Sequence, residues 1–231
     1  MWPFSRKATL LSSGFLQGWT DWHSHILPGV DDGVQTLDEA IAVLHWYAEQ
    51  GVASVWLTPH IMEDYPNRPE DLRVRFSLLE QAWDGPVELH LAAEHMLDAL
   101  FEKRLAAGDI MPIGPEQDRL LVETSCFNAP MNFEALLDRI KQQGLRPMLA
   151  HPERYYYMND AVYRRLNDTG VEFQLNILSL CGVYGPIPAR KARKLLEGGF
   201  YSYMGSDIHR LIDFQWSSSI PLKFNPALLS V

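Results

Sequence analysis

Short apolar runs alternate with amphipathic segments along nearly the whole chain, and most of these runs end at a histidine or a carboxylate. Runs of β-type residues that alternate with helical patterns are typical of βα units around a parallel sheet. The strands of such a sheet point their carboxyl ends the same way, so side chains at those ends converge. The pattern therefore favours an α/β protein with its site at one end of the sheet. The predicted strands cover residues 18–24, 53–58, 87–93, 119–122, 147–150, 171–175 and 200–204.

The residues at the predicted strand ends share the chemistry of metal ligands. Neutral imidazole is the commonest protein ligand for transition metals, and carboxylates often complete such sites. Unrelated polar residues would not select strand ends so consistently, and buried unpaired charges are costly. The candidate ligands are His23, His25, His60, Glu94, Glu123, His151, Asp207 and His209.

The first predicted strand carries two of these histidines in the sequence Asp21-Trp22-His23-Ser24-His25. Alternate residues of a strand face the same side, so the two imidazoles can reach one point. Two histidines at strand spacing also occur in ordinary sheets, and the motif gains weight only from the other strand ends. A further carboxylate can come from Asp31-Asp32-Gly33, although such a turn also forms for backbone reasons alone.

Amphipathic patterns predict the helices that connect the strands. In the first helix, Thr36 can cap the N-terminus, Glu39 occupies the capping-box position and Gly51 can end the helix. No linker or repeat divides the 231 residues, which are within the reach of one βα barrel. We expect a single domain over 1–231, with an N-terminal extension over 1–17 and an irregular tail over 211–231. The predicted helices cover residues 36–50, 68–83, 97–106, 133–143, 161–168 and 188–197.

Charge and composition argue against several classes of protein. The net charge of −9, with no basic stripe to offset it, argues against a nucleic-acid partner. Two cysteines are too few for a disulfide framework, and we find no signal-peptide core or transmembrane stretch. We therefore expect a cytoplasmic protein. The sequence does not decide the oligomeric state, or whether the basic start Arg6-Lys7 touches a membrane.

The positions of the cysteines also argue against one catalytic mechanism. A cysteine nucleophile that attacks a phosphate ester needs a phosphate-binding loop that ends in an arginine six residues after the cysteine. Cys126 is followed at that distance by Asn132, and Cys181 by Ile187. Both cysteines are expected to pack as small apolar residues.

The motifs at the strand ends together resemble the PHP (polymerase and histidinol phosphatase) superfamily of metal-dependent phosphoesterases. Within it, the chain is most similar to the bacterial tyrosine-protein phosphatases of capsule and exopolysaccharide gene clusters, the CpsB/CapC-like family. The resemblance implies a distorted (β/α)7 TIM-like barrel and a metal-dependent phosphoesterase. The matching motifs are DWHSHILPGVDDG at 21–33, TPHIMEDYPN at 58–67, AAEHMLD at 92–98, LVETS at 121–125, LAHPERY at 149–155, FQLNILSL at 173–180 and MGSDIHRL at 204–211.

The resemblance further implies a cluster of three divalent ions, with Glu94 as the bridging ligand. The mixed imidazole and carboxylate ligands suit manganese, iron, zinc or cobalt better than calcium, and manganese is the first expectation. By position, the first ion would be held by His23, His25, Glu94 and Asp207, the second by Glu94, Glu123 and His151, and the third by Asp32, His60 and His209.

Roles in catalysis are carried over in the same way. Arg154 matches an arginine that contacts the phosphate, and Glu94 and His209 are expected to act with it in catalysis. Arg210 and Tyr155 are expected to contact the substrate, although Arg210 could also point to solvent. The run Tyr155-Tyr156-Tyr157 and Tyr65 could form a wall for a phosphotyrosine ring, and ordinary packing accounts for these rings equally well.

The resulting hypothesis is a metal-dependent protein-tyrosine phosphatase that acts on the tyrosine-rich tail of a kinase controlling polysaccharide export. One alternative keeps the barrel and metals but hydrolyses a small ester such as histidinol phosphate. Another is a metal-bound adaptor that binds phosphotyrosine without turnover. The complete set of matched ligands argues against the adaptor.

Overall fold

The computed structural model describes residues 8–229, which form a mixed α/β structure with parallel strands. Each strand after the first is reached through a helix or a short loop. In chain order the elements are β1 Thr20–Ser24, α1 Leu37–Gln50, β2 Ser54–Leu57, β3 His60–Ile61, α2 Pro69–Ala82, β4 Glu88–Leu91, β5 Glu94–Met96, α3 Phe101–Ala107, β6 Arg119–Glu123, α4 Phe133–Gln142, β7 Arg146–Ala150, α5 Asp160–Asp168, β8 Glu172–Asn176, α6 Ile177–Cys181, α7 Pro186–Glu197, β9 Tyr201–Gly205 and α8 Leu211–Ser218. Two short 3-10 helices, Pro152–Arg154 and Pro226–Leu229, complete them.

The strands form two parallel sheets. One has the order β1-β2-β4 and the other the order β3-β5-β6-β7-β8-β9. The second and third predicted strands are therefore each followed directly by a further short strand, β3 or β5, in the other sheet. Pro59 explains the first break, because proline has no N–H to donate to a ladder. Its carbonyl still accepts from the Glu94 N–H at 3.1 Å, which keeps β3 and β5 side by side beyond the break.

The end of β1 lies against the segment that follows β9. Ser24 and Ile208 form a parallel bridge, and the Asp207 N–H donates to the His23 carbonyl at 2.7 Å. Gly205 makes this approach possible, since a Cβ at that position would lie 2.4 Å from the Cβ of His23. The first and last motifs of the chain are thus brought into direct contact.

Helix α1 is positioned as its sequence predicts. Thr36 and Glu39 form a complete capping box, and Gly51 ends the helix in the left-handed conformation. On its inner face, the buried Tyr47 hydroxyl donates to Asp21 Oδ2 at 2.6 Å. Ser206 donates to the same carboxylate through its N–H and its hydroxyl. A buried polar network therefore fixes α1, β1 and the loop after β9 relative to one another.

The expectation of an irregular tail over 211–231 is wrong in its first part, because Leu211–Ser218 is a helix. The helix buries Phe214 edge-on against Trp46, with ring centroids 5.2 Å apart. Ile212 and Trp216 are also apolar but stay exposed, which hides the helical periodicity in the sequence. The sequence patterns do not predict the short helix α6, and α3 begins at Phe101 rather than at residue 97.

Within residues 8–229, no helix combines the length and the apolar character needed to cross a bilayer. Arg6 and Lys7 lie outside the described residues.

Candidate metal centre

All the predicted strand-end ligands come together at one edge of the sheets. Three groups of their nitrogen and oxygen atoms can be distinguished, and within each group the atoms lie within 4.8 Å of one another. Glu94 belongs to two of the groups, as expected for a bridging carboxylate. The groups are His23, His25, Glu94 and Asp207; His60, Glu94 and Glu123; and His25, Asp32, His60 and His209.

The first group matches the set implied by the family resemblance. Its ring nitrogens face two carboxylates, because His23 Nε2 lies 3.2 Å from Glu94 Oε2 and 3.5 Å from Asp207 Oδ1. His25 Nε2 lies 3.4 Å and 3.3 Å from the same two oxygens. These four side chains are buried.

The other two groups share His60, whose two nitrogens face opposite ways. Its Nδ1 lies 3.1 Å from both Glu94 and Glu123, and its Nε2 lies 3.6 Å from Asp32 Oδ1. The same Asp32 oxygen lies 3.5 Å from His209 Nε2. His151 stands beside the second group, with its Nε2 at 3.1 Å from Glu94 and 3.7 Å from Glu123. The family resemblance implies Glu94, Glu123 and His151 as the second ligand set. In the structure, His60 lies beside the two carboxylates of that set together with His151.

Two side chains outside the predicted set of site residues orient the first histidines. Gln174 Oε1 lies 2.9 Å from His23 Nδ1, and Asp31 Oδ2 lies 2.8 Å from His25 Nδ1. A carboxylate only accepts, so Asp31 fixes the proton of neutral His25 on Nδ1. The Gln174 amide donates its N–H to the Leu175 carbonyl, which leaves its oxygen to accept from His23. Both Nε2 atoms therefore carry lone pairs directed at the site.

Signals for these two residues are present in the sequence. Asn176 is the last residue of β8, at the end of the strand where the candidate ligands lie. Gln174 lies two positions earlier, so both side chains lie on the same face of β8. Asp31 is adjacent to Asp32, and its second oxygen accepts from the Gly33 N–H at 2.9 Å. Oδ2, the oxygen that faces His25, also accepts from the His60 N–H at 3.0 Å. Asp31 is thus a positioning residue for two predicted ligands.

Asp207 is held in a single orientation by two donors. Its Oδ2 accepts from Arg154 Nη1 at 2.7 Å and from Asn176 Nδ2 at 2.9 Å, which leaves Oδ1 facing the histidines. Asp207 and His151 also have left-handed backbones, with φ of 54° and 34°. Non-glycine residues in that region carry strain of about 1 kcal/mol or more and cluster at functional sites.

The unpaired polar atoms test whether these residues fit a metal. Among the described residues, Glu94 Oε2 is buried without a hydrogen bond, although three imidazole nitrogens lie 3.1–3.4 Å from it. The Nε2 atoms of His23 and His25 face each other at 3.1 Å, and in the neutral tautomers both carry lone pairs. Lone pairs that converge without a donor are suited to a shared cation. The residues present therefore fit a divalent metal cluster.

The electrostatics agree with this interpretation. Burial lowers the pKa of His23, but the carboxylates of Glu94 and Asp207 outweigh it and raise the pKa to about 9. Burial raises the pKa of Glu94, but the charge of His23 and hydrogen bonds from the histidines around Glu94 hold that pKa well below its usual range. The carboxylates thus favour positive charge at the position where the histidine nitrogens converge.

The candidate ligands border a cavity of about 450 Å³. Arg154 lines it, and its guanidinium lies over the ring of Tyr184 at 4.4 Å. Tyr65 also lines the cavity and lies parallel to His60, with centroids 6.0 Å apart. Both side chains therefore line the space beside the candidate ligands.

The prediction that Tyr155 contacts the substrate is wrong. Tyr155 is 0 % exposed and packs edge-on beneath His151, with its hydroxyl accepting from the Thr124 N–H at 3.2 Å. The short helix Pro152–Arg154 turns the chain so that Arg154 faces the cavity and the next residue faces the core. Of the tyrosine run, Tyr156 is exposed and stacks on Phe127 instead.

Arg210 lies outside this cavity. It is the residue before α8, pairs with Asp213 at 3.5 Å and lines a neighbouring groove. The cysteines are not activated, since burial raises the pKa of the Cys126 thiol and raises that of Cys181 to about 12. A thiolate nucleophile is accordingly disfavoured.

Comparison with known proteins places the chain among tyrosine phosphatases of capsule synthesis. It is 26% identical over 197 residues to the tyrosine-protein phosphatase YwqE of Bacillus subtilis, covering 83% of this chain and 77% of that protein. It is 29% identical over 204 residues to the tyrosine-protein phosphatase CpsB of Streptococcus pneumoniae, covering 83% of each.

Comparison with solved structures also finds metal-dependent tyrosine phosphatases. A structure from a study of YwqE and CpsB, described as unique metal-dependent tyrosine phosphatases, superimposes with a TM-score of 0.77 at 25% identity, covering 91% of this chain and 93% of that one. A lactonase from Listeria monocytogenes, with a TM-score of 0.53 at 12% identity, shows likeness of fold alone. The family model for capsular polysaccharide synthesis, CpsB/CapC, matches residues 19–214. The chain belongs to the CpsB/CapC family.

Proposed function

We propose that this protein is a metal-dependent protein-tyrosine phosphatase that acts on a tyrosine kinase of capsule or exopolysaccharide synthesis. The observation that carries the proposal is the convergence of imidazole nitrogens on Glu94, beside an arginine in an open cavity. The named activity of the relatives YwqE and CpsB supports the same reaction and the same class of substrate.

The fold proposed for this function is a distorted (β/α)7 barrel, with residues 1–231 forming one domain. The contact between Ser24 and Ile208 supports it, because it joins the first strand to the segment after the last one. In such a barrel the carboxyl ends of all strands meet at one mouth, where active sites lie.

Three ions are proposed, with manganese as the first candidate. Bound divalent metals lower the pKa of water and neutralise charge on the phosphate oxygens during in-line displacement. The proposed ligands are His23, His25, Glu94 and Asp207 for the first ion, Glu94, Glu123 and His151 for the second, and Asp32, His60 and His209 for the third.

The remaining chemistry falls to Arg154. One of its nitrogens donates to Asp207, which fixes the planar guanidinium at the cavity wall. Burial lowers the pKa of Arg154, but the adjacent Asp207 outweighs it and raises the pKa, so the group stays charged. Its other N–H donors are proposed to bind two oxygens of the phosphate. Tyr65 would then lie beside the aryl ring of the substrate.

The experiment is phosphate release by metal-stripped protein that has been reloaded with manganese. A phosphotyrosyl peptide and histidinol phosphate are compared, with Glu94→Gln as the inactive variant and the exposed Glu80→Gln of α2 as its control. We expect turnover of the peptide that Glu94→Gln abolishes and Glu80→Gln retains. A preference for histidinol phosphate, or turnover of neither, would contradict the proposal.

A further inference from the structure

A second cavity of about 460 Å³ adjoins the candidate metal centre. The two cavities share Asp32 and His209 as a common wall. Beyond that wall, the chemistry changes from polar to apolar. We call this the apolar groove, and the side chains that define it are Val34, Ala42, Val43, Leu211 and Ile212.

The groove lies between helices α1 and α8. Val34 and Val43 are buried and form its floor, and Ala42 of α1 is exposed beside them. Ile212 of α8 is 68% exposed at the edge. An exposed branched side chain beside a buried apolar floor offers surface that a ligand can remove from water.

The charges at the rim are of opposite sign. Glu39 of α1 and Asp32 of the shared wall carry carboxylates, and Arg210, the residue before α8, carries a guanidinium. The two carboxylates outnumber the one guanidinium, so the rim disfavours an anion, and the apolar floor offers the surface for recognition. A second phosphate is therefore a poorer fit than an apolar side chain.

We propose that the apolar groove binds an apolar side chain of the peptide substrate, a few residues from the phosphotyrosine. An extended peptide advances roughly 3.3 Å per residue, so a neighbouring side chain reaches a groove that shares a wall with the phosphate cavity. This inference rests on the proposed function and adds a sequence preference to it. Arg210 and helix α8 then belong to the recognition of the peptide rather than of the phosphate.

The test measures kcat/KM for phosphotyrosyl peptides in a glycine and serine background. Each peptide carries one leucine, placed in turn at each of the three positions on either side of the phosphotyrosine. 4-Nitrophenyl phosphate serves as the reference substrate. An apolar pocket typically discriminates about tenfold or more for a matching side chain, so leucine at one position should raise kcat/KM about tenfold.

Two variants locate that gain. Ala42→Phe fills the groove and Ile212→Ser removes its edge, and both should abolish the leucine gain. Their controls are Ala106→Phe on α3 and Val74→Ser on α2, at exposed positions outside both cavities, and both should retain it.

The outcomes separate the two proposals. Equal kcat/KM for all peptides, or a leucine gain that survives in Ala42→Phe, would overturn the groove and leave the phosphatase assignment intact. Turnover of 4-nitrophenyl phosphate without turnover of any peptide would overturn the protein-phosphatase assignment, and the groove with it.

Discussion

Replacing Asp31 by asparagine tests whether the metal centre depends on a residue outside the proposed ligand set. The Asp31 carboxylate accepts three N–H groups, from His25 Nδ1 at 2.8 Å, from the His60 backbone at 3.0 Å and from the Gly33 backbone at 2.9 Å. An asparagine has one acceptor oxygen, so in either orientation its amide nitrogen faces a donor. The Nδ1 tautomer of His25 is then no longer fixed.

The size of the effect follows from that lost contact. Removing the partner of a metal-bound histidine typically weakens metal affinity 10- to 100-fold, or about 1.4–2.7 kcal/mol at 25 °C. We expect that loss for Asp31→Asn in a titration of stripped protein with manganese against a competing chelator. Asp38→Asn, at an exposed position in the first turn of α1, removes the same charge and should bind like the wild type. Equal affinity in both variants, with Asp31→Asn folded by circular dichroism, would show that Asp31 does not position His25 for metal binding.

Three further predictions concern catalysis and stability. Arg154→Lys keeps the charge but loses the planar fork, and kcat/KM for a phosphotyrosyl peptide should fall about 100-fold; a change below threefold would contradict its role. Burial raises the pKa of Asp21 from 3.8 to about 6, so its ionisation destabilises the fold as pH rises from about 4 to 6. In urea unfolding, the free energy of unfolding of Asp21→Asn, relative to that of the wild type, should increase by up to about 3 kcal/mol between pH 4 and pH 7. A difference between the two proteins that does not change with pH would contradict this. Phe214→Ala should lower the free energy of unfolding by about 3–5 kcal/mol, because Phe214 is fully buried against Trp46, whereas no loss would show that α8 is not anchored there.

The strand ends could be predicted from the sequence because a buried parallel strand is a nearly continuous apolar run, and most of its polar side chains lie where that run stops. The regular helices could be located to within a few residues, since caps such as Thr36 and Gly51 mark their ends. Strand β3 could not be predicted, because Pro59 normally ends a strand, whereas the chain resumes pairing one residue later in the other sheet.

Residues whose importance depends on the three-dimensional arrangement were harder to find. Gln174 contacts His23, which is far away in sequence, and Asp31 contacts His25 beside a second aspartate that is an equally good candidate. A polar residue within a strand can also have many roles other than orienting a ligand. The burial of Tyr155 could not be predicted, because nothing in Arg154-Tyr155 shows which of the two side chains the 3-10 turn directs into the core. Helix α8 was missed because its exposed Ile212 and Trp216 mask the single buried anchor.

Metal content and activity, measured together, test most directly whether a metal cluster at Glu94 supports hydrolysis of phosphotyrosine. Stripped protein is titrated with manganese while bound metal, by elemental analysis, and phosphate release from a phosphotyrosyl peptide are measured on the same samples. We expect activity to rise with bound metal, and we expect Glu94→Gln, which removes the carboxylate shared by two of the proposed ions, to bind less manganese and to lose activity. Phosphate release by the stripped protein, or full metal binding and activity in Glu94→Gln, would contradict this expectation.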